Sequence, residues 1–139
     1  MLEVVELGVK HLCNEILGYE VNSASTTKGE FYGSALPIYK GKNEFHFYLY
    51  FKKDTLNHFA KILLGSDKLN EDDLSDLCKE VANLIVGYSK NLLNEKENGA
   101  YKLGTPEYLG RIENFKIKLE DKRIYKIKNR TFQIGYKKA

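Results

Sequence analysis

Residues 74–87 read LSDLCKEVANLIVG. Leu74, Leu77, Cys78, Val81 and Ile85 recur at helical spacing and give the stretch one apolar face. Asp76, Glu80, Asn83 and Gly87 follow one another at intervals of four, three and four. At about 100° per residue this second set fits an arc of roughly 60°, centred roughly 145° from the apolar one. One side of the helix therefore looks inward. The other carries carboxylates, a carboxamide and a gap where a side chain should be. An exposed acid on a helix is ordinarily just solvated, but the other two members are less easily explained. Asn is a middling helix former, and Gly costs about 1 kcal/mol relative to Ala in a helix interior. A glycine one turn beyond Asn83 lets another surface approach the backbone closely.

The flanking sequence extends this helix over residues 70–93. Asn70 suits its N-cap, and Glu71, Asp72 and Asp73 complement the positive end of its dipole. Upstream, DTLNHFAKILLG (54–65) reads as a short helix, with Asp54 as N-cap and Gly65 as stop. Before it, the aromatic-rich EFYGSALPIYKG (30–41) and NEFHFYLYFKK (43–53) read as two strands joined by a hairpin turn at KGKN. Residues 2–17 have helical apolar spacing, with Val5, Val9, Leu12 and Ile16 in one row, Leu2 and Cys13 beside it, and Gly18 as C-cap. Gly8 weakens that helix. A polar loop, NSASTTKG, follows it. Beyond the long helix, ENG (97–99) breaks the chain. AYKLGTPEYLG, NFKIKL, RIYKIKN and RTFQIGYKK then read as strands with tight turns. The order predicts a single α+β domain over residues 1–139, two long helices and a short one packed on a mostly antiparallel sheet.

Charge is unevenly spread. Residues 1–121 carry net −4, whereas the last 18 residues hold seven basic groups and no acid. A basic end invites nucleic acid, but apolar and polar residues alternate there, so the lysines read as the wet face of a hairpin. Cys13 and Cys78 sit at apolar helical positions and read as buried free thiols. No apolar run approaches the roughly 18 residues of a membrane span. The start, MLEVVELGVKHL, is acidic and periodic rather than basic and uniformly apolar, so a cytoplasmic protein is expected.

Several chemistries lack their motifs. His11, His46 and His58 are scattered without metal-ligand spacing. His46 alternates with strand aromatics and reads as structural. There is no glycine-rich phosphate loop, and DKLNEDDLSDLCKE lacks the central glycine of an EF-hand. No Ser or Cys nucleophile with a base emerges. If the chain is an enzyme, the work falls to Glu80 and Asn83.

The row also resembles the phosphatase signature of the CheC/CheX/FliY family of bacterial chemotaxis proteins. That signature is Asp or Ser, three residues, Glu, two residues, Asn, 22 residues, then Pro. Asp76, Glu80 and Asn83 match its first part, and Pro106 stands with 22 residues between it and Asn83. CNEILGYEV is similar to the first-helix ending of the CheX branch, and FAKILLG with its acidic continuation to that branch's short helix and loop. EVANLIVGYSKNLL resembles its active helix, and KLGTPEYLG the strand after it. One copy of the signature is present, because the first helix has CNEI, with the order of Glu and Asn reversed. That favours the single-site CheX type over the two-site CheC type. The Lys/Asn-rich KNLLNEKENG and the basic carboxyl end depart from the family.

The resemblance implies a phosphatase acting on the aspartyl phosphate of a response-regulator receiver domain, CheY-like, whose own site holds a magnesium ion and a lysine. The chain itself would bind no cofactor. Asn83 would position the attacking water and Glu80 would pair with the receiver lysine. Asp76 and Gly87 would border the contact, and Pro106 would shape the strand beside the helix. The resemblance also implies a homodimer formed through sheet edges. Two other readings compete: a non-catalytic module of the same fold that binds a receiver or motor component, and a nucleic-acid binder using the basic end.

Overall fold

The computed structural model describes every residue except Asp67, Asn98 and Asn114. The expected break at Asn98 and the first residue of the expected NFKIKL strand therefore lie outside the described residues.

The amino-terminal helix changes its winding partway. Leu2–Lys10 is α-helical (α1), and His11–Ile16 continues it as a π-helix. A π turn holds more residues than an α turn, so the face drifts along it. Val5, Val9, Leu12 and Cys13 are buried as the spacing predicts, but Ile16 is turned outward and Leu17 is buried. Gly18, at φ +76°, ends the segment in a conformation that disfavours any residue with a Cβ.

β1 (Asn22–Ser23) is short, and β2 (Phe31–Lys40) and β3 (Asn43–Phe51) form the expected hairpin, closing with Lys40 opposite Asn43. α2 (Lys53–Leu63) begins earlier than expected: its N-cap is Lys52, without a side-chain cap bond, and Asp54 lies in the first turn. The cause is the strand before it. Phe51 is still paired in β3 and fully buried, so the chain must turn at once. Gly65 (φ +73°) follows the last turn.

α3 (Glu71–Lys96) is opened by a reciprocal cap. The Asp73 amide donates to Asn70 Oδ1 at 2.8 Å, and the Asn70 amide donates to the Asp73 carboxylate at 3.2 Å. β4 (Lys102–Leu103), β5 (Glu107–Ile112), β6 (Asp121–Ile127) and β7 (Arg130–Lys138) complete the chain.

One antiparallel sheet runs β1-β6-β7-β3-β2-β4, with β5 also pairing β2. Alternation in the central strands sends Leu36, Ile38, Phe47, Leu49, Phe51, Phe132 and Ile134 to the face covered by the helices. Against them α3 buries Leu74, Leu77, Cys78, Val81, Ile85 and Leu93, each large apolar side chain being worth about 1.5–3 kcal/mol. The architecture is the expected α+β one.

Residues 115–119 do not form the expected strand. They connect β5, at one side of the sheet, to β6 beyond β7, across the face opposite the helices. The Phe115 ring packs 5.1 Å from Phe31 and 4.9 Å from Tyr50, and Leu119 fills the space over Gly135. Their alternation serves packing onto the sheet rather than pairing within it. At the basic carboxyl end, β6 and β7 form a hairpin with Lys122, Lys126, Lys137 and Lys138 exposed. Both cysteines are buried and free, and burial pushes each thiol up to about 12. Among the described residues no helix is long and apolar enough to cross a membrane.

Candidate functional site

α3 presents the row as its spacing predicts. Leu77, Val81 and Ile85 are buried, whereas Asp76 and Glu80 are exposed and Asn83 and Gly87 half-buried. Among the described residues, nothing hydrogen-bonds the Asn83 carboxamide and nothing pairs with Asp76 or Glu80. A half-buried amide with both its donor and acceptor unspent is available to a partner or a water. Gly87 is not required by packing within the chain. A Cβ there would sit 3.5 Å from Leu103, an ordinary contact.

The helix carrying this row is tied at both ends to the sheet edge beside it. Near its start the Tyr108 hydroxyl donates to Glu71 at 2.9 Å. Burial raises the Tyr108 phenol, and the Glu71 carboxylate raises it further. Near its end Asn94 holds the Tyr101 backbone twice, donating at 2.9 Å and accepting at 2.7 Å. Between these ties Leu103 lies opposite Gly87. The segment from Leu103 to Tyr108, with Pro106 inside it, therefore runs alongside the turns bearing Asn83, Glu80 and Asp76. Pro106 stands where the edge is interrupted. β2 pairs Ile38 with Leu103 and resumes at Ala35 with Glu107, while the Gly104 amide donates to Pro37 at 2.8 Å. Proline has no N–H to extend the ladder there.

On the other flank the row borders an open groove of about 430 Å³. Ile16, Leu63, Leu64, Leu77 and Leu84 line it, with Asp76 and Glu80 at its lip. Helical spacing places Ile16 in the core and Leu63 and Leu64 at a helix end, whereas all three border this groove. The available signal was the leucine pair before Gly65, lying past the apolar face that α2 needs.

The histidines remain apart. His11 stacks on Tyr88 with ring centroids 4.0 Å apart, His46 lies 3.4 Å from Glu44 on the outer side of the sheet, and His58 packs on Tyr19. Among the described residues no three His, Cys, Asp or Glu side chains gather as a metal site would require. The chemistry on offer is an unspent carboxamide on a helix tied at both ends, a carboxylate one turn away and a backbone gap.

Comparison with known proteins gives this arrangement a context. The family model described as chemotaxis phosphatase CheX matches residues 34–127. No curated protein matches the chain by sequence. Among solved structures, CheX from Vibrio vulnificus is 13% identical, with a TM-score of 0.78 over 99% of this chain and 98% of that one. CheX in the CheX–CheY–BeF3–Mg2+ complex from Borrelia burgdorferi is 12% identical, with a TM-score of 0.65 over 99% and 94%. FliY from Thermotoga maritima is 14% identical, with a TM-score of 0.61 over 94% and 83%.

Proposed function

The chain belongs to the CheX chemotaxis phosphatase family, and we propose that it hydrolyses the aspartyl phosphate of a CheY-like receiver domain. Phosphoryl transfer leaves little covalent chemistry to a protein; it needs an in-line nucleophile and stabilised charge. Asn83 enters the receiver site and holds the attacking water, its carboxamide accepting one hydrogen bond and donating another. Glu80, one turn away, pairs with the receiver's lysine and fixes the docking angle. Asp76 and Gly87 border the contact, Gly87 allowing the receiver close to the helix backbone. Pro106 keeps the adjoining edge out of the way of the docked partner. The receiver supplies its own magnesium ion. Orientation of this kind lowers barriers by several kcal/mol, each ~1.4 kcal/mol being tenfold in rate.

The observation that carries this reading is Asn83, held on a helix tied at both ends, half-exposed, with its amide unspent. The solved CheX–CheY complex supports a receiver as partner for a scaffold of this fold. A cytoplasmic homodimer belongs to the same proposal, paired through a sheet edge such as β5, whose outer side is unpaired among the described residues.

The test is phosphate release from phosphorylated CheY-like receivers, mixed one at a time with the wild type and with Asn83→Ala. Accelerated release by the wild type, lost in the variant, is the expected outcome. Receiver binding without accelerated release would make the chain a docking module of the same fold.

A further inference from the structure

We infer that the groove lined by Ile16, Leu63, Leu64, Leu77 and Leu84 receives a bulky apolar side chain that the receiver presents beside the lysine meeting Glu80. The inference rests on the receiver-phosphatase reading and adds the source of its affinity.

Three observations lead to it. The groove and the row share Asp76 and Glu80, so a partner that meets Glu80 stands at the edge of the groove. The groove is lined from separate elements by apolar surface left in solvent: Ile16 is 39% exposed and Leu64 58%. Ile16 reaches it only because His11–Ile16 is π-helical. Continued α-winding would keep Ile16 in the row with buried Val5, Val9 and Leu12, and π turns recur at functional sites. The lip fixes the chemistry of the occupant. Two carboxylates beside an apolar floor complement a cation next to an apolar group and repel an acidic segment. At about 430 Å³ the open groove has room for a Leu- or Phe-sized side chain.

The experiment measures Kd for a CheY-like receiver loaded with beryllium trifluoride and magnesium, and steady-state turnover of the phosphorylated receiver. The variants are Ile16→Ser and Leu64→Ser, with Leu7→Ser as control, since Leu7 is 43% exposed on α1 and outside the groove. Circular dichroism matches folded concentrations. The inference expects Kd and KM to rise about tenfold or more for both groove variants. Turnover of the saturated enzyme and the control's Kd should stay near wild type. A Kd within about twofold of wild type for both groove variants overturns the inference; if Asn83→Ala still loses turnover, the phosphatase reading survives. A wild type that binds the receiver without releasing phosphate sinks that reading, and the groove is then judged by Kd alone. A wild type that binds no receiver overturns both. If Leu64→Ser changes the mass by light scattering but not receiver Kd, the groove serves a second copy of the chain, and the inference fails.

Discussion

Gly8 of α1 packs directly on the carbonyl oxygen of Ile85 in α3, leaving no room for even a methyl group. Ser89 secures the same crossing, its hydroxyl donating to Ile85 at 2.8 Å and reaching the Val4 carbonyl at 3.3 Å. The glycine that weakened the helix as a sequence signal is therefore what lets the two helices meet behind the row. Gly8→Ala should destabilise the fold by about 1–3 kcal/mol, the usual range for overpacking a close contact. Urea denaturation measures it. An unchanged midpoint would show that the helices separate without penalty.

Gly87 should behave in the opposite way. Its missing side chain leaves room for a Cβ 3.5 Å from Leu103, so alanine fits and gains helix propensity. Gly87→Ala should raise stability by up to about 1 kcal/mol. On the proposed function the same methyl intrudes on the receiver, so Kd for the receiver should rise. A variant that is both more stable and as tightly bound would remove Gly87 from the docking face.

These two glycines show where sequence reading works and where it stops. The α3 row was legible because one helix carries it: period, cap and acidic first turn all lie within Asn70–Gly87. The β2–β3 hairpin was legible from alternation across a short turn. Gly8 and Gly87 look alike in sequence, and only the packing of α1 on α3 separates them. Ile16 leaves the buried row because α-helical spacing does not foresee the π winding of His11–Ile16. Phe115–Leu119 alternates like a strand, but the sheet face claims those side chains before any partner strand does. The groove combines residues 16, 63, 64, 77 and 84, separations that no local pattern connects.

Stability should fall at alkaline pH. Burial pushes the Tyr50 phenol from 10.0 up to about 12, and the Cys13 and Cys78 thiols from 9.0 up to about 12. The Tyr125 phenol is raised as well, again by burial first. In each case the fold favours the neutral form. Their contribution is complete below the unfolded values, near 9 for the thiols and 10 for the phenols, and is lost as pH rises toward 12. Thermal melts should therefore show a Tm level from pH 7 to about 8.5 and declining above about 9. In the same window, thiol reagents should modify the cysteines only as the protein unfolds, since both are fully buried. Rapid labelling of the native protein at neutral pH would contradict this.

The sharpest contrast lies between Asn83 and Glu80, one turn apart on the same face. Asn83→Ala removes an amide without partners among the described residues and substitutes a better helix former, so stability should hold or rise slightly. It removes one small group from an interface, so receiver binding should weaken only modestly while turnover is lost. Glu80→Lys should act differently. It opposes a cation to the receiver lysine, so binding and turnover should fall together. Glu80 is exposed, and no described residue pairs with it in the free chain, so its reversal should leave the fold intact. The salt dependence isolates the cause. Raising ionic strength screens an exposed pair, so wild-type affinity should decline with salt more steeply than that of Glu80→Ala. Phosphate release and receiver Kd, measured for each variant at low and high salt and at matched folded concentration, separate the roles. If Glu80→Lys lowers turnover at unchanged Kd, the residue acts on the chemistry and the docking role is wrong. If Asn83→Ala keeps wild-type turnover, no water is being held there, and the face serves only to bind.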